Sequence, residues 1–442
     1  MRRPLAENIV DFLSFSDSVC DRLDELRRSS QREWGRTLRW LDDAGLAFYF
    51  LQKLKNASAT NIVPGWVLSR LEENLKANRQ RVNRMWLQFA LLNQKFNDAG
   101  VRFAVVKGFS LVPRFCPNAS LRHQSDFDYL VEEQSLPRGK CVLDDAGYSL
   151  KEHRAQEYSF IMPSARTPVV AGEQYEAHAP HAVELHLALW DKERWGVPLA
   201  FPRFSADHTR THSWQGLTFP VLHEEDAFLL QVIHVFKHIL DYWVRLSWVY
   251  EIGYFLDRHA SDVQLWGHVE DRVAGNPFLR EFVVVVTELV ARIFGAPVPP
   301  LVASWSEEVR PGARVWVESY ARKWVFGKNR VDELTPLPTA KLVLFLHQQY
   351  VPDRRRLIWN RLFPSTRLSR IAHSVAGKPS IILQNRWRQR ERVFRRFLFH
   401  LAAGLRYLWE VPRWRWLNRR DTHPAQHERR HSITTDLEQV RD

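Results

Sequence analysis

A chain of 442 residues, 45% apolar and 26% charged, is long and apolar enough for two or three cores and excludes a disordered protein. Its three cysteines, Cys20, Cys116 and Cys141, are scattered and odd in number, which argues against a disulfide framework and points to a reducing compartment. The net charge of +13 is local: Asp353 to Arg420 holds eighteen Lys or Arg against three acids, and the remainder has forty-five basic and forty-seven acidic residues, so any polyanionic partner belongs to that segment.

The first residues, "MRRPLAENIVDFLSFSDSV", are broken by acids before a signal-peptide core develops. Residues 1–98 read as helical. From Trp66 to Phe96, apolar side chains at Leu68, Leu71, Leu75, Val82, Met85, Phe89, Leu92 and Phe96 trace one helix face, and Ala99-Gly100 closes it. "VRFAVVKG" (101–108) then suits a short buried strand, with a helix expected from about Ser110. A second strand is expected at "DFDYLV", a helix over Leu136 to Asp145, a turn at Ala146-Gly147 and a strand within "AVELHLALW" (182–190). That order predicts an α/β core of 99–215.

Helices return over 216–300. The most apolar stretch there, "FLREFVVVVTELVARIFGAPVPPL", is interrupted by Arg280, Glu281, Glu288 and Arg292, so a membrane span is not expected. Residues 301–420 read as helical and Arg/Trp-rich, with a loop at "LTPLPT", and 421–442 as a disordered tail. A cytoplasmic protein is expected, with a peripheral seat on the inner face of the membrane left open by the basic segment.

The chemistry concentrates in "RHQSDFDYLV". Side chains two apart on a strand share a face, so Asp126 and Asp128 point one way and Phe127, Tyr129 and Val131 the other. Two carboxylates on one face suit Mg²⁺ or Mn²⁺, whose remaining positions can take water and substrate phosphates. Glu184, between Val183 and Leu185 on the next expected strand, is the candidate third acid. His186 shares its face and could contact substrate. Gly108 has no Cβ to obstruct a triphosphate; Ser110 offers a hydroxyl near a helix start, Lys107 a point charge and Arg122 a planar fork.

Lys107-Gly108, Arg122, Asp126-Phe127-Asp128-Tyr129-Leu130, Gly147-Tyr148 and Glu184-Leu185-His186, in that order, resemble the polymerase-β-like nucleotidyltransferase superfamily. More closely, the set is similar to bacterial nucleotidyltransferases whose genes accompany polysaccharide or peptide natural-product clusters, over about residues 45 to 300. In the superfamily the serine directly follows glycine, whereas Phe109 stands between Gly108 and Ser110 here, and the gap to Asp126 is longer than usual.

The resemblance implies an α+β fold with a small mixed-sheet core flanked by helical domains, the helices of 216–300 forming a substrate pocket. It implies Mg²⁺-dependent transfer of a nucleotidyl group from an NTP to a hydroxyl or phosphate of a small-molecule, glycan or peptide acceptor. Asp126, Asp128 and Glu184 would be catalytic and hold the metal; Lys107, Gly108, Ser110, Arg122 and His186 would bind the nucleotide. Two other classes stay open: a non-catalytic nucleotide-binding or membrane-surface adaptor of a glycan pathway, and a toxin–antitoxin-type nucleotidyltransferase acting on RNA or protein.

His178, His181 and His186, or His234 with His238, lack the glutamate or cysteine partners of a zinc site, and the latter pair is expected to pack between helices. Arg245 is expected in an ion pair with Glu251 or Asp257. The arginines from Arg386 to Arg396, alternating with Trp387, Val393, Phe394, Phe397 and Leu398, fit three situations: an anionic lipid surface reached by residues 353–420, a nucleic-acid surface, which ranks lower, or helices packing their aromatics on the protein body.

Overall fold

The computed structural model describes residues 3–16, 20–154, 156–162, 175–176, 181–199, 203–327, 339–363 and 379–422, with side chains throughout except at 20–22, 379–393, 395–396 and 422. Most of "LTPLPT" and the tail from residue 423 lie outside the described residues. The chain divides into two compact units, Met1–Ile239 with Val244–Glu307, and Leu240–Trp243 with Glu308–Asp442.

In the first unit, α1 (Leu5–Phe12), α2 (Cys20–Arg27), α3 (Gln31–Ala44) and α4 (Ala47–Asn56) lead into the long α5 (Gly65–Asp98). Ser30 and Glu33 form a reciprocal capping box at the start of α3, and Gly45 ends it at φ +71°. The apolar stripe on α5 is buried from Leu71 to Phe96, and Gly100 at φ +63° stops the helix.

Seven strands follow: β1 (Phe103–Val105), β2 (Asp126–Val131), then α6 (Leu136–Asp145), β3 (Ser149–Arg154), β4 (Glu157–Ile161), β5 (Ala182–His186), the single-turn α7 (Lys192–Trp195), β6 (Thr209–Trp214) and β7 (Leu217–Leu222). They make one mixed sheet in the order β3-β4-β5-β2-β1-β7-β6. β2 runs antiparallel to β1 and parallel to β5, with Asp128 directly opposite Glu184. The fold is α+β.

The period of two sorts the sheet into two faces. Phe103, Val105, Phe127, Tyr129, Val131, Val183 and Leu185 pack with Val82, Met85, Phe89, Leu92 and Phe96 of α5. Ala104, Val106 and Leu130 share the other face with Leu222 and with Leu230 of α8 (Glu224–Leu240). Asp126 and Asp128 belong to that second face by their spacing from Leu130. The unit is completed by α9 (Leu246–His259), α10 (Val263–Val273), α11 (Pro277–Phe294) and α12 (Pro300–Ser304).

The helix expected from Ser110 does not form. A single 3₁₀ turn, Gly108–Leu111, gives way to irregular chain, because Pro113 lacks the N–H a helix needs and forces Val112 to extended geometry (φ −90°, ψ 135°).

The second unit contains α13 (Pro311–Trp316), α14 (Arg322–Gly327), α15 (Leu344–His347), α16 (Arg354–Leu362) and α17 (Pro379–Thr422). Trp316 donates its indole N–H to Leu342 O at 3.0 Å, and Phe345 stacks on Tyr407 and Trp414 of α17 at 4.7 and 5.1 Å. One face of α17 therefore packs its aromatics within the second unit itself. Phe394 and Phe397 are 61% and 59% exposed, while the arginine side chains from Arg386 to Arg396 lie outside the described residues.

Candidate nucleotidyltransferase site

The loop that delivers β2 is held from below by polar groups on α5. Asn78 Nδ2 donates to the carbonyls of Ser120 (2.8 Å) and Arg122 (3.1 Å), and the Arg81 guanidinium donates to Gln124 O. Asn78 and Arg81 are almost wholly buried, so these bonds satisfy backbone groups that water cannot reach. Further along, Asn93 donates to the Tyr129 hydroxyl at 3.1 Å, fixing the core side of the strand.

On the opposite face, Asp128, Glu184 and His186 each offer a ligand atom within 4.8 Å of the others. Asp128 is 1% exposed. Its Oδ1 accepts from Lys107 Nζ at 2.5 Å and lies 3.0 Å from His186 Nε2, while its Oδ2 is buried with no hydrogen-bond partner. His186 Nε2 also lies 3.6 Å from Glu184 Oε2. Asp126 precedes Asp128 on the same face without joining this tight group, and among the described residues its carboxylate accepts no hydrogen bond.

The electrostatics follow from crowding acids in a dry place. Burial and the neighbouring Asp128 raise the Asp126 pKa. Glu184 is pushed up to about 8 by burial, then by Asp128 and Asp126. Asp128 goes the other way: burial opposes its charge, but Lys107 and the His186 hydrogen bond hold it well below the usual carboxylate range. For Lys107 burial works against the ammonium, and Asp128, Asp126 and Glu184 outweigh it, raising its pKa. Asp128 thus carries the site's firmly held negative charge, while crowding in a dry place raises the pKa of Asp126 and Glu184.

That donor set fits a divalent cation. The orphaned Asp128 Oδ2 is the structural sign, since a buried carboxylate oxygen without a partner costs free energy that a cation would offset. The ligand atoms that lie close enough to share one cation are those of Asp128, Glu184 and His186, with Asp126 on the same strand face beside them.

The remaining expected residues divide. Gly108 sits at φ +65° next to the site, and a Cβ there would come within 2.4 Å of Gln124 Nε2. Ser110 donates its hydroxyl back to Lys107 O at 3.2 Å, closing its own turn. Arg122 is not presented as an open fork: its Nε donates to Glu251 Oε1 at 2.9 Å, and Tyr49 OH donates to the same oxygen at 2.9 Å. The ion pair expected for Arg245 is thus made by Arg122; Arg245 instead faces the His123 ring at 3.3 Å.

His181 is on the core side, 3.0 Å from Tyr148 OH and against Phe127, so it does not join His186. His178 lies outside the described residues. His234 and His238 pack edge to face at 4.6 Å, and both meet Trp248.

Three residues to which the sequence assigned no role at the site shape it. Gln124 covers Gly108 and donates to Asp126 O at 3.0 Å, and Glu251 anchors Arg122. Lys237, on α8, lines an open pocket with Glu157, His186 and Trp190, and its ammonium makes no hydrogen bond or ion pair among the described residues. Burial, then Lys107, lowers its pKa to about 8. Lys237 had a sequence signal, as a lone cation in the apolar run "LLQVIHVFKHIL", and Glu251 was expected in an ion pair, though with Arg245 and not Arg122.

A carboxylate pair on one strand, a third acid in register on the neighbouring strand and a glycine turn beside them are an arrangement suited to divalent-metal phosphate chemistry. The family model for uncharacterised nucleotidyltransferases matches residues 30–295, and the chain belongs to that family. No curated protein and no solved structure matches the chain.

Proposed function

We propose that the protein transfers a nucleotidyl group from an NTP to an acceptor hydroxyl or phosphate, using Mg²⁺ or Mn²⁺. The observation that carries this reading is the Asp128 carboxylate, held ionised by Lys107 with one oxygen unpartnered, directly opposite Glu184. A divalent cation held by Asp126, Asp128 and Glu184 would neutralise charge on the triphosphate and favour the ionised acceptor. The chain's own groups do the rest. Gly108 lets the backbone approach the phosphates, Lys107 and His186 fix Asp128, and Glu184 takes the proton of the attacking oxygen. That oxygen bonds to the α-phosphorus as the bond to the β-phosphate oxygen breaks and pyrophosphate leaves.

On this reading the two substrates lie on opposite sides of β2. Gly108 follows β1 on one side of β2, whereas the Lys237 pocket opens on β4 and β5, on the other. We assign the acceptor to that pocket, with an anionic group of the acceptor facing Lys237 and its body against Trp190.

Pyrophosphate release from each NTP, with Mg²⁺ and a panel of sugar phosphates, polyols and peptides, tests the reading. Asp126→Asn is expected to abolish turnover while the protein stays folded. Retained turnover in that variant refutes the assignment.

A further inference from the structure

The second unit presents a surface that nucleotidyl transfer does not use. Along α17, Phe394, Phe397, Leu401, Leu405, Leu408 and Trp416 are between 47% and 61% exposed. Their spacing of three, four, four, three and eight puts them on one stripe, about 33 Å long at the rise of an α-helix. Trp409, 79% exposed, borders it. The opposite face is packed: Ala403, Tyr407 and Glu410 are buried, the tyrosine on Phe345. The exposed stripe is therefore a second face, left over after the helix has satisfied its own unit.

Charge flanks the stripe. At about 100° per residue Arg413 falls on one side and Arg415 on the other, and neither makes an ion pair among the described residues. Arg420 lies over the Trp416 ring at 4.7 Å. The sole acid between Phe394 and Arg420 is Glu410, which is buried and bonded to Arg406 at 2.6 Å. α16 extends the pattern. The Lys341 ammonium ties it alongside by donating to Leu362 O (3.2 Å) and His400 O (3.0 Å). It adds exposed Trp359 and Phe363 and a run of exposed arginines, Arg354 to Arg356.

We infer that this face lies on a lipid bilayer bearing anionic headgroups. Leucine and phenylalanine gain nothing from a nucleic-acid backbone, whereas they gain from the acyl boundary of a membrane. A symmetric second copy would bring the arginine flanks together without acids to meet them. An anionic bilayer alone takes both features, with tryptophan at the interface and arginine on the headgroups. Among the described residues no helix is long and apolar enough to cross a membrane, so the helix lies along the surface.

Flotation of the full chain with vesicles tests this, comparing phosphatidylcholine alone with phosphatidylcholine mixed with phosphatidylglycerol. The protein is expected to float with the mixed vesicles. Leu401→Glu/Leu405→Glu/Leu408→Glu and Arg413→Ser/Arg415→Ser/Arg420→Ser are each expected to weaken that partition by roughly tenfold or more. All six side chains are solvent-exposed, and an unchanged melting transition confirms that the variants fold. No flotation with either vesicle overturns the inference. So does a wild-type dimer in sedimentation velocity that the leucine variant splits without any vesicle binding, which would give the face to a second copy. Binding to duplex DNA that falls in the arginine variant, with vesicle partition unchanged in both variants, would give it to nucleic acid.

Discussion

The Arg122–Glu251 pair offers a quantitative test of how the site is positioned. Glu251 is 1% exposed and accepts from Arg122 Nε and Tyr49 OH, both at 2.9 Å. The Arg122 side chain is 11% exposed, so removing either partner leaves a charge in a dry place. Each of Arg122→Met and Glu251→Leu is expected to cost about 3–5 kcal/mol, and the double variant less than either, because two apolar groups leave no buried charge behind. Equilibrium urea unfolding reads this as midpoint shifts at constant slope. The double variant is also expected to keep its Mg²⁺-dependent stabilisation by nucleotide, since Arg122 acts through Glu251 and the loop before β2. Singles costing under about 1 kcal/mol, or a double variant equal to their sum, would refute a buried pair. Loss of nucleotide stabilisation in a folded double variant would return Arg122 to the phosphates.

The two strand carboxylates should respond oppositely to neutralisation. Asp126→Asn relieves repulsion from Asp128 and is expected to melt at or above the wild type, whereas Asp128→Asn strips Lys107 of its partner and is expected to melt lower; differential scanning fluorimetry without metal distinguishes them. Gly108→Ala places a Cβ against Gln124 in a left-handed conformation and should cost about 1–3 kcal/mol in urea unfolding. Burial, then Arg81 and Arg84, lowers the His181 pKa from 6.5 to about 4. Its depressed folded-state value contributes stability that is present above pH 6.5 and lost as pH falls through 4, up to about 3 kcal/mol. A wild-type melting temperature that falls between pH 7 and pH 4.5, and falls less in His181→Gln, is the expected result.

The parts of the fold written in local pattern were legible. The α5 stripe, α6 and the limits of β2 follow from periodicity and from glycine stops; Asp128 and Glu184 stand out as apolar-flanked acids on expected strands, but their register does not, since β3 and β4 lie between β2 and β5 in the chain. The hairpin β3–β4 was not legible, because β3, "SLKEHR", is exposed at every position and shows no alternation. β6, "TRTHSW", is polar and gives no apolar signal, whereas β7, "LTFPVL", alternates at Leu217, Phe219 and Val221 but carries Pro220, which counts against a strand; the two turn at Gln215-Gly216, both at positive φ. Arg122 and Glu251 are 129 residues apart, and no local rule says which arginine a buried glutamate will meet. The basic segment revealed its composition but not its sidedness, since only the packing of Tyr407 and Trp414 shows which face of α17 is left to solvent.

The most direct measurement is a thermal-shift panel of ATP, CTP, GTP and UTP, each with and without Mg²⁺, on the wild type and on Asp126→Asn/Asp128→Asn. A ligand bound only to the native state stabilises it by about 2.7 kcal/mol at a hundredfold excess over Kd. The prediction is that at least one NTP raises the melting temperature only when Mg²⁺ is present, and that the double variant shows no such rise. An equal rise in the double variant, or no rise with any nucleotide at millimolar concentration, would contradict a metal-dependent nucleotide site at Asp126, Asp128 and Glu184.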